Sequence, residues 1–225
     1  MENKEFKIFF FGDSICFGQG VSLHKGWVAQ LSRSITESES IKSENLLFVN
    51  SSVNGNTTRI ALERMPYDVQ SHEPDIVIVQ FGLNDCNYWD SDKGVSRVSP
   101  GAFAANLKEI IQRCFVHGAK KVILNSNHPT LLKKQFKYSD VDYNDSNKTF
   151  NELIRGVFES LGSDLKKNTI FIDIEKYFNN LILDSSVELK DLLLLDGLHL
   201  SESGHDLYFE KIITKLEEVI LEVKN

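Results

Sequence analysis

Ser14, Gly55, Asn84, Asp196 and His199 are the residues of this chain whose types and order could carry nucleophilic acyl chemistry. A serine hydroxyl is a weak nucleophile and needs an adjacent base, usually histidine, oriented by a third group. Asp196 and His199 stand three apart, so on a turn or helical segment they can lie on one side. The carboxylate could then fix the imidazole tautomer and stabilise the imidazolium that forms during attack. A tetrahedral oxyanion would also need donors. Gly55 lets a backbone N–H approach closely, and Asn84 can offer a side-chain amide.

Each residue taken alone has a plainer explanation. Ser14 could cap a helix, Asn84 and Asp85 could form a turn, Gly55 could serve a positive φ, and His199 could cap the last helix from the surface. Gly12-Asp13-Ser14-Ile15-Cys16 lacks the second glycine of a GxSxG elbow, so that motif is excluded as written. Their joint placement along the chain favours chemistry over five separate structural roles.

That placement depends on the elements between them. Short, largely apolar runs at 7–11, 46–50, 75–81, 121–125 and 169–174 have the look of strands buried on both faces of a parallel sheet. Amphipathic stretches lie between them. Trp27, Val28, Leu31 and Ile35 mark one helix. Ser99-Pro100 opens a second, whose stripe runs from Phe103 through Leu107, Ile110, Ile111 and Cys114 to Phe115, and His117-Gly118 stops it. Phe150, Leu153, Ile154, Val157, Phe158 and Leu161 mark a third, which Gly162 is expected to end. The last stripe runs from Leu207 to Val223. Strand–helix alternation through the whole chain predicts one α/β domain spanning residues 1–225, with three layers, α/β/α. In such a sheet ligands sit at the carboxyl ends of the strands. Ser14, the Gly55 turn, Asn84 and Asn127-His128-Pro129 each follow a predicted strand, and Asp196-Gly197-Leu198-His199 comes later in the chain.

Gly12-Asp13-Ser14, Gly55, Gly82-Leu83-Asn84-Asp85 and Asp196-Gly197-Leu198-His199 resemble the four sequence blocks of the SGNH (GDSL-type) hydrolases, in the family's order from residue 12 to 199. Ile15 departs from the family's usual leucine, a conservative change. The resemblance implies a five-stranded parallel, flavodoxin-like sheet. It further implies Ser14 as nucleophile, His199 as base and Asp196 as its orienting acid. The oxyanion donors would be the Ser14 and Gly55 backbones and the Asn84 side chain.

Other candidates rank lower. His205 lies six residues beyond His199 with no acid at the same spacing, and reads as part of the last helix. Asp196, His199 and His205 lack the spacing of a catalytic zinc, and no HExxH occurs, so no metal and no cofactor is expected. Cys16 and Cys86 read as buried thiols, and Asp13 and Asp85 as residues that hold their loops. Two aromatic-bearing insertions, 86–98 and 130–144, follow strands and are placed to set specificity. Tyr88 and Trp89 could stack on a sugar ring and His128 could line the pocket. Lys133, Lys134 and Lys137 read first as a solvated run and second as an anion attractor.

Composition narrows the classes. With 25 Lys+Arg against 32 Asp+Glu among 225 residues, the net charge of -7 argues against nucleic acid as a partner. No apolar run reaches the roughly 20 residues of a spanning helix, and the run near the N-terminus is shorter than a secretory core, so a cytoplasmic location is expected. Three cysteines without CxxC spacing suggest neither a disulfide framework nor zinc. The leading expectation is a serine esterase that removes a small acyl group, acetyl first, from a carbohydrate or other small-molecule ester. The alternatives are acyl transfer or thioester or lysophospholipid cleavage by the same residues, and, last, a non-catalytic flavodoxin-like binding module.

Overall fold

A computed structural model describes residues 5–41, 45–132 and 134–224, so the N-terminal residues 1–4 and Lys133 lie outside the described part. Five strands form one parallel sheet: β1 (Phe6–Gly12), β2 (Leu46–Asn50), β3 (Ile76–Gln80), β4 (Lys121–Asn125) and β5 (Thr169–Ile172), in the order β2-β1-β3-β4-β5. Parallel neighbours need crossovers, which the helices supply. They are α1 (Ser14–Phe17), α2 (Trp27–Thr36), α3 (Thr58–Asp68), α4 (Pro100–Val116), α5 (Tyr143–Glu159), α6 (Ser163–Asn168), α7 (Ile174–Leu183) and α8 (Glu202–Lys224). Helices α2, α7 and α8 pack together, as do α3, α4 and α5. The flavodoxin-like α/β/α architecture expected from the motif order is the one observed.

The core sits on the central strands. Every residue of β3 and β4 is buried, and Phe9, Phe10 and Phe11 of β1 are fully so. Trp27 locks α2 to this layer: its ring meets Phe10 edge-on at 5.6 Å and stacks on Tyr208 of α8 at 4.6 Å. Its indole N–H donates to the Ile15 carbonyl at 3.0 Å, so burial leaves no polar atom unpaired there.

Several expectations are corrected. β2 is an edge strand with Leu47 and Asn50 exposed, not a strand buried on both faces; among the described residues no strand pairs with its outer side. The third strand begins at Ile76; Asp75 before it gives its N–H to the Lys7 carbonyl and accepts the Lys7 N–H on its side chain, each at 2.9 Å. The fifth ends at Ile172 because Asp173 caps α7 by accepting the Lys176 N–H. Gly162 does not end α5, which stops at Glu159; it sits instead at the N-cap of α6. The polar helix α3, with Pro66 inside it, had no legible stripe, since only Thr58, Ala61 and Met65 are buried.

The topology positions the site. β1 lies between β2 and β3, so the chain leaves β1 towards one side and returns to the other. The loops after these three strands open into the crevice where strand order reverses, the usual ligand position in this architecture.

Candidate active site

Asp13 ends the loop after β1 and caps the single turn of α1, its Oδ1 accepting the Ile15 N–H at 3.0 Å. Ser14 therefore stands at the first position of that turn, nearly buried at 6% exposure. Its Oγ lies 3.0 Å from Nε2 of His199. On the other side of the ring, Nδ1 is 2.6 Å from Asp196 Oδ2. Asp196 Oδ1 accepts the N–H groups of both Leu198 and His199 at 2.9 Å. One carboxylate oxygen thus closes the turn while the other holds the imidazole. Burial works against ionisation of Asp196, but the His199 bond and the two N–H groups hold it below the usual carboxylate range. With Nδ1–H given to Asp196, Nε2 is left as the acceptor for the serine proton.

The turn itself is a small hairpin. Leu193 bridges Leu200, and the Leu194 N–H donates to the His199 carbonyl at 2.7 Å. Gly197 takes φ +69, and a Cβ there would stand 3.3 Å from the Leu131 backbone, so only glycine fits without strain. His128 is fully buried behind this turn, its Nε2 2.8 Å from the Leu198 carbonyl. That position supports the His199 loop and lies away from any open surface.

The remaining candidates gather at the same edge. Asn84 Nδ2 donates to Asp13 Oδ2 at 3.4 Å, and its Oδ1 accepts from Arg97 at 3.3 Å. Gly55 is exposed with φ +76. Among the described residues, neither the Ser14 nor the Gly55 N–H has an acceptor. Asp85 Oδ1 accepts both the N–H and the hydroxyl of Thr58, at 2.9 and 2.5 Å, which ties the loop after β3 to the start of α3. Burial pushes Asp13 up to about 7, with repulsion from Asp85 adding to it, and pushes Asp85 up to about 6.

Tyr88 stacks on Phe136 at 4.1 Å and so joins the two insertions, which leaves Trp89 as the more exposed ring. Trp89 lies under the Arg97 guanidinium at 4.4 Å. These two side chains, with Thr57 and Arg59, line an open cleft of about 620 Å³. Lys134 and Lys137 are exposed. Cys16 and Cys86 are fully buried, and burial pushes both thiols well above their ordinary range. Among the described residues, no group of three or more histidine, cysteine or acidic side chains is arranged to hold a metal ion.

Sequence reasoning missed Arg64. Its guanidinium donates to the carbonyls of Ser51 and Gly12 at 2.6 and 3.2 Å and to Asn56 Oδ1 at 2.5 Å, over the Phe11 ring. It fastens the first two loops of the site from a helix with no visible stripe, and no local pattern could have signalled it.

His205 sits in the first turns of α8, where Nδ1 accepts the Trp27 N–H at 3.4 Å. Burial lowers its titration from 6.5 to about 4, with the nearby His128 and His199 adding to the effect. Between these two pH values the unfolded chain takes up a proton that the folded chain does not, so this contribution to stability falls as pH falls. Asp13 and Asp85 act oppositely, since folded carboxyls keep protons that unfolded ones release. A difference measurement isolates the histidine. In urea unfolding, His205→Phe should gain ~2 kcal/mol on its parent between pH 7.5 and 5. A difference that does not change with pH would contradict the buried neutral imidazole.

The comparisons agree with the fold and the motifs. A model of the GDSL-like lipase/acylhydrolase family matches residues 10–207. The arylesterase of Vibrio mimicus is 28% identical over 137 residues, 61% of this chain and 62% of that protein. Esterase TesA of Pseudomonas aeruginosa is 28% identical over 118 residues, 52% of this chain and 53% of that one. The matched stretches thus span only about half to six-tenths of these relatives. Among solved structures, the acetylxylan esterase Axe2 of Geobacillus stearothermophilus superposes with a TM-score of 0.71 at 19% identity, covering 96% of both chains. The lipase/acylhydrolase of Enterococcus faecalis gives 0.71 at 23% identity, over 95% of this chain and 96% of that one.

Proposed function

Since the chain belongs to the GDSL-like lipase/acylhydrolase family, we propose that it is a serine esterase that removes acetyl groups from a carbohydrate or another small ester through Ser14, His199 and Asp196. The observation that carries this reading is the continuous chain from Ser14 Oγ to His199 Nε2, at 3.0 Å, and from Nδ1 to Asp196, at 2.6 Å. His199 takes the Ser14 proton as Oγ attacks the ester carbonyl, and Asp196 stabilises the resulting imidazolium. The oxyanion that develops is met by the Ser14 and Gly55 N–H groups and Asn84 Nδ2. Collapse expels the alcohol, which takes its proton from His199. Water, activated by the same histidine, then releases the acid from the acyl-enzyme.

The acyl group and the alcohol are read from the surroundings. The cleft with Trp89 and Arg97 offers one aromatic face and polar neighbours, a suitable bed for a sugar ring. The acetylxylan esterases among the structural neighbours support the same substrate class. A second reading, thioester or longer-chain acyl cleavage, is favoured by one feature. Beside Asp196 and Gly197 lies a cleft of about 440 Å³ walled by Leu131, Leu132, Leu193, Leu194 and Leu195. Relatives named esterase TesA and thioesterase 1/protease 1/lysophospholipase L1 point the same way.

p-Nitrophenyl esters of graded length, assayed beside acetylated xylo-oligosaccharides and an acyl-coenzyme A, separate the two. The acetyl reading expects kcat/KM to fall about tenfold or more from acetate to octanoate, with acetate released from the sugar. A rise with chain length, or preference for the thioester, would replace it with the second reading.

A further inference from the structure

We propose that Arg97 is a positioning residue for the oxyanion donors, holding the Asn84 amide and the Gly55 loop in one frame from the insertion that follows β3. This rests on the reading of Asn84 and Gly55 as those donors. The guanidinium spans them: Nη1 donates to Asn84 Oδ1 and Nη2 to the Gly55 carbonyl, each at 3.3 Å.

The two ends of a carboxamide are nearly equal in size, so packing alone does not decide which one faces a developing oxyanion. A flipped Asn84 would present a carbonyl oxygen there and repel the charge. Arginine has donors and no acceptor, so a guanidinium beside the amide admits only Oδ1 on its side. Nδ2 is then directed to the Asp13–Ser14 side, where Asp13 Oδ2 accepts it at 3.4 Å. Asp13 is a weaker arbiter, because burial raises it to about 7 and a protonated carboxyl can also donate. Arg97 remains a donor throughout. Its charge behind Oδ1 also polarises the amide and strengthens the N–H bonds at the other end.

Gly55 needs the same tether. It is exposed, a Cβ added to it would meet nothing within 4 Å, and its carbonyl is held by Arg97 alongside the turn bond from the Asn56 N–H to the Val53 carbonyl at 3.2 Å. Arg97 is itself held. Its N–H donates to the Asn87 carbonyl at 2.8 Å, the next residue's N–H donates to Asp85, and Trp89 lies against its planar face at 4.4 Å. Lysine cannot replace it, since one ammonium lacks the planar fork that reaches both acceptors.

The experiment is a cycle of Arg97→Ala, Asn84→Ala and the double variant, assayed on p-nitrophenyl acetate with and without low-millimolar guanidinium chloride. Asn84→Ala is expected to lose about 10²–10³ in kcat, and Arg97→Ala, acting at one remove, about 10–100-fold with KM within about threefold. Guanidinium should restore part of the Arg97→Ala loss and nothing in Asn84→Ala. The double variant should fall below Asn84→Ala by less than the full Arg97→Ala factor, because the share of the effect that runs through Asn84 is already gone and only the Gly55 share remains. Arg97→Gln, which keeps a planar group over Trp89, serves if the alanine variant fails to fold by circular dichroism, and the same kcat loss is expected of it. Losses that multiply in the double variant, or a folded Arg97 variant at wild-type kcat beside an impaired Asn84→Ala, overturn the proposal alone. Asn84→Ala at wild-type kcat overturns the oxyanion reading beneath it.

Discussion

Ser14→Ala is expected to lose ester hydrolysis and labelling by a fluorophosphonate together, with kcat down by about 10⁶-fold, the scale seen when a serine protease loses its nucleophile. The reason is that, among the described residues, the hydroxyl hydrogen-bonded to His199 Nε2 is Ser14 Oγ, at 3.0 Å. Folding should survive. The cap of α1 is Asp13 and not Ser14, and the Ser14 hydroxyl makes its hydrogen bond to a histidine that Asp196 holds independently. Residual turnover over water, about 10³–10⁴-fold, would come from the oxyanion donors and binding alone. The measurement is active-site labelling followed by peptide mapping, with acetate release assayed in parallel. Full labelling of the alanine variant at a different residue would remove Ser14 from the role assigned to it.

How far such a site can be read from sequence depends on whether each contact is local. The strands at 46–50 and 121–125 have the bounds expected, because apolar β-branched and leucine runs announce themselves. Ser14, Gly55 and Asn84 could be singled out because each lies in the loop after a strand, and strand ends in a parallel sheet share one edge. Asp196 and His199 were legible because their contact spans three residues. What stayed hidden depends on long separations. Arg97 reaches Gly55 across 42 positions and Arg64 reaches Gly12 across 52, so neither carries a local signature. Exposure of β2 was hidden for a related reason. A run such as Leu46–Asn50 is equally apolar at the edge and in the middle of a sheet, and only strand order distinguishes them. His128 looked like a pocket residue because it follows β4, yet its ring turns inward to the Leu198 carbonyl.

The two histidines near the end of the chain make the sharpest discrimination. His199→Ala should lose nearly all turnover, whereas His205→Ala should keep most of it. His199 is the imidazole with a carboxylate on Nδ1 and a hydroxyl on Nε2, the arrangement that moves a proton from serine to leaving alcohol. His205 is 1% exposed, has the Trp27 N–H on Nδ1, and carries no partner on Nε2 among the described residues. Removing it leaves that N–H unpaired in the core, at about 1–3 kcal/mol of stability, with no direct loss of chemistry. Asp196→Asn should be crippled too, by about 10⁴ in kcat, because an amide cannot stabilise the imidazolium and favours the wrong tautomer. Each variant is first checked for folding by circular dichroism and then assayed across pH. A folded His205→Ala without activity, beside a folded and active His199→Ala, would require the base to be reassigned and Asp196 with it.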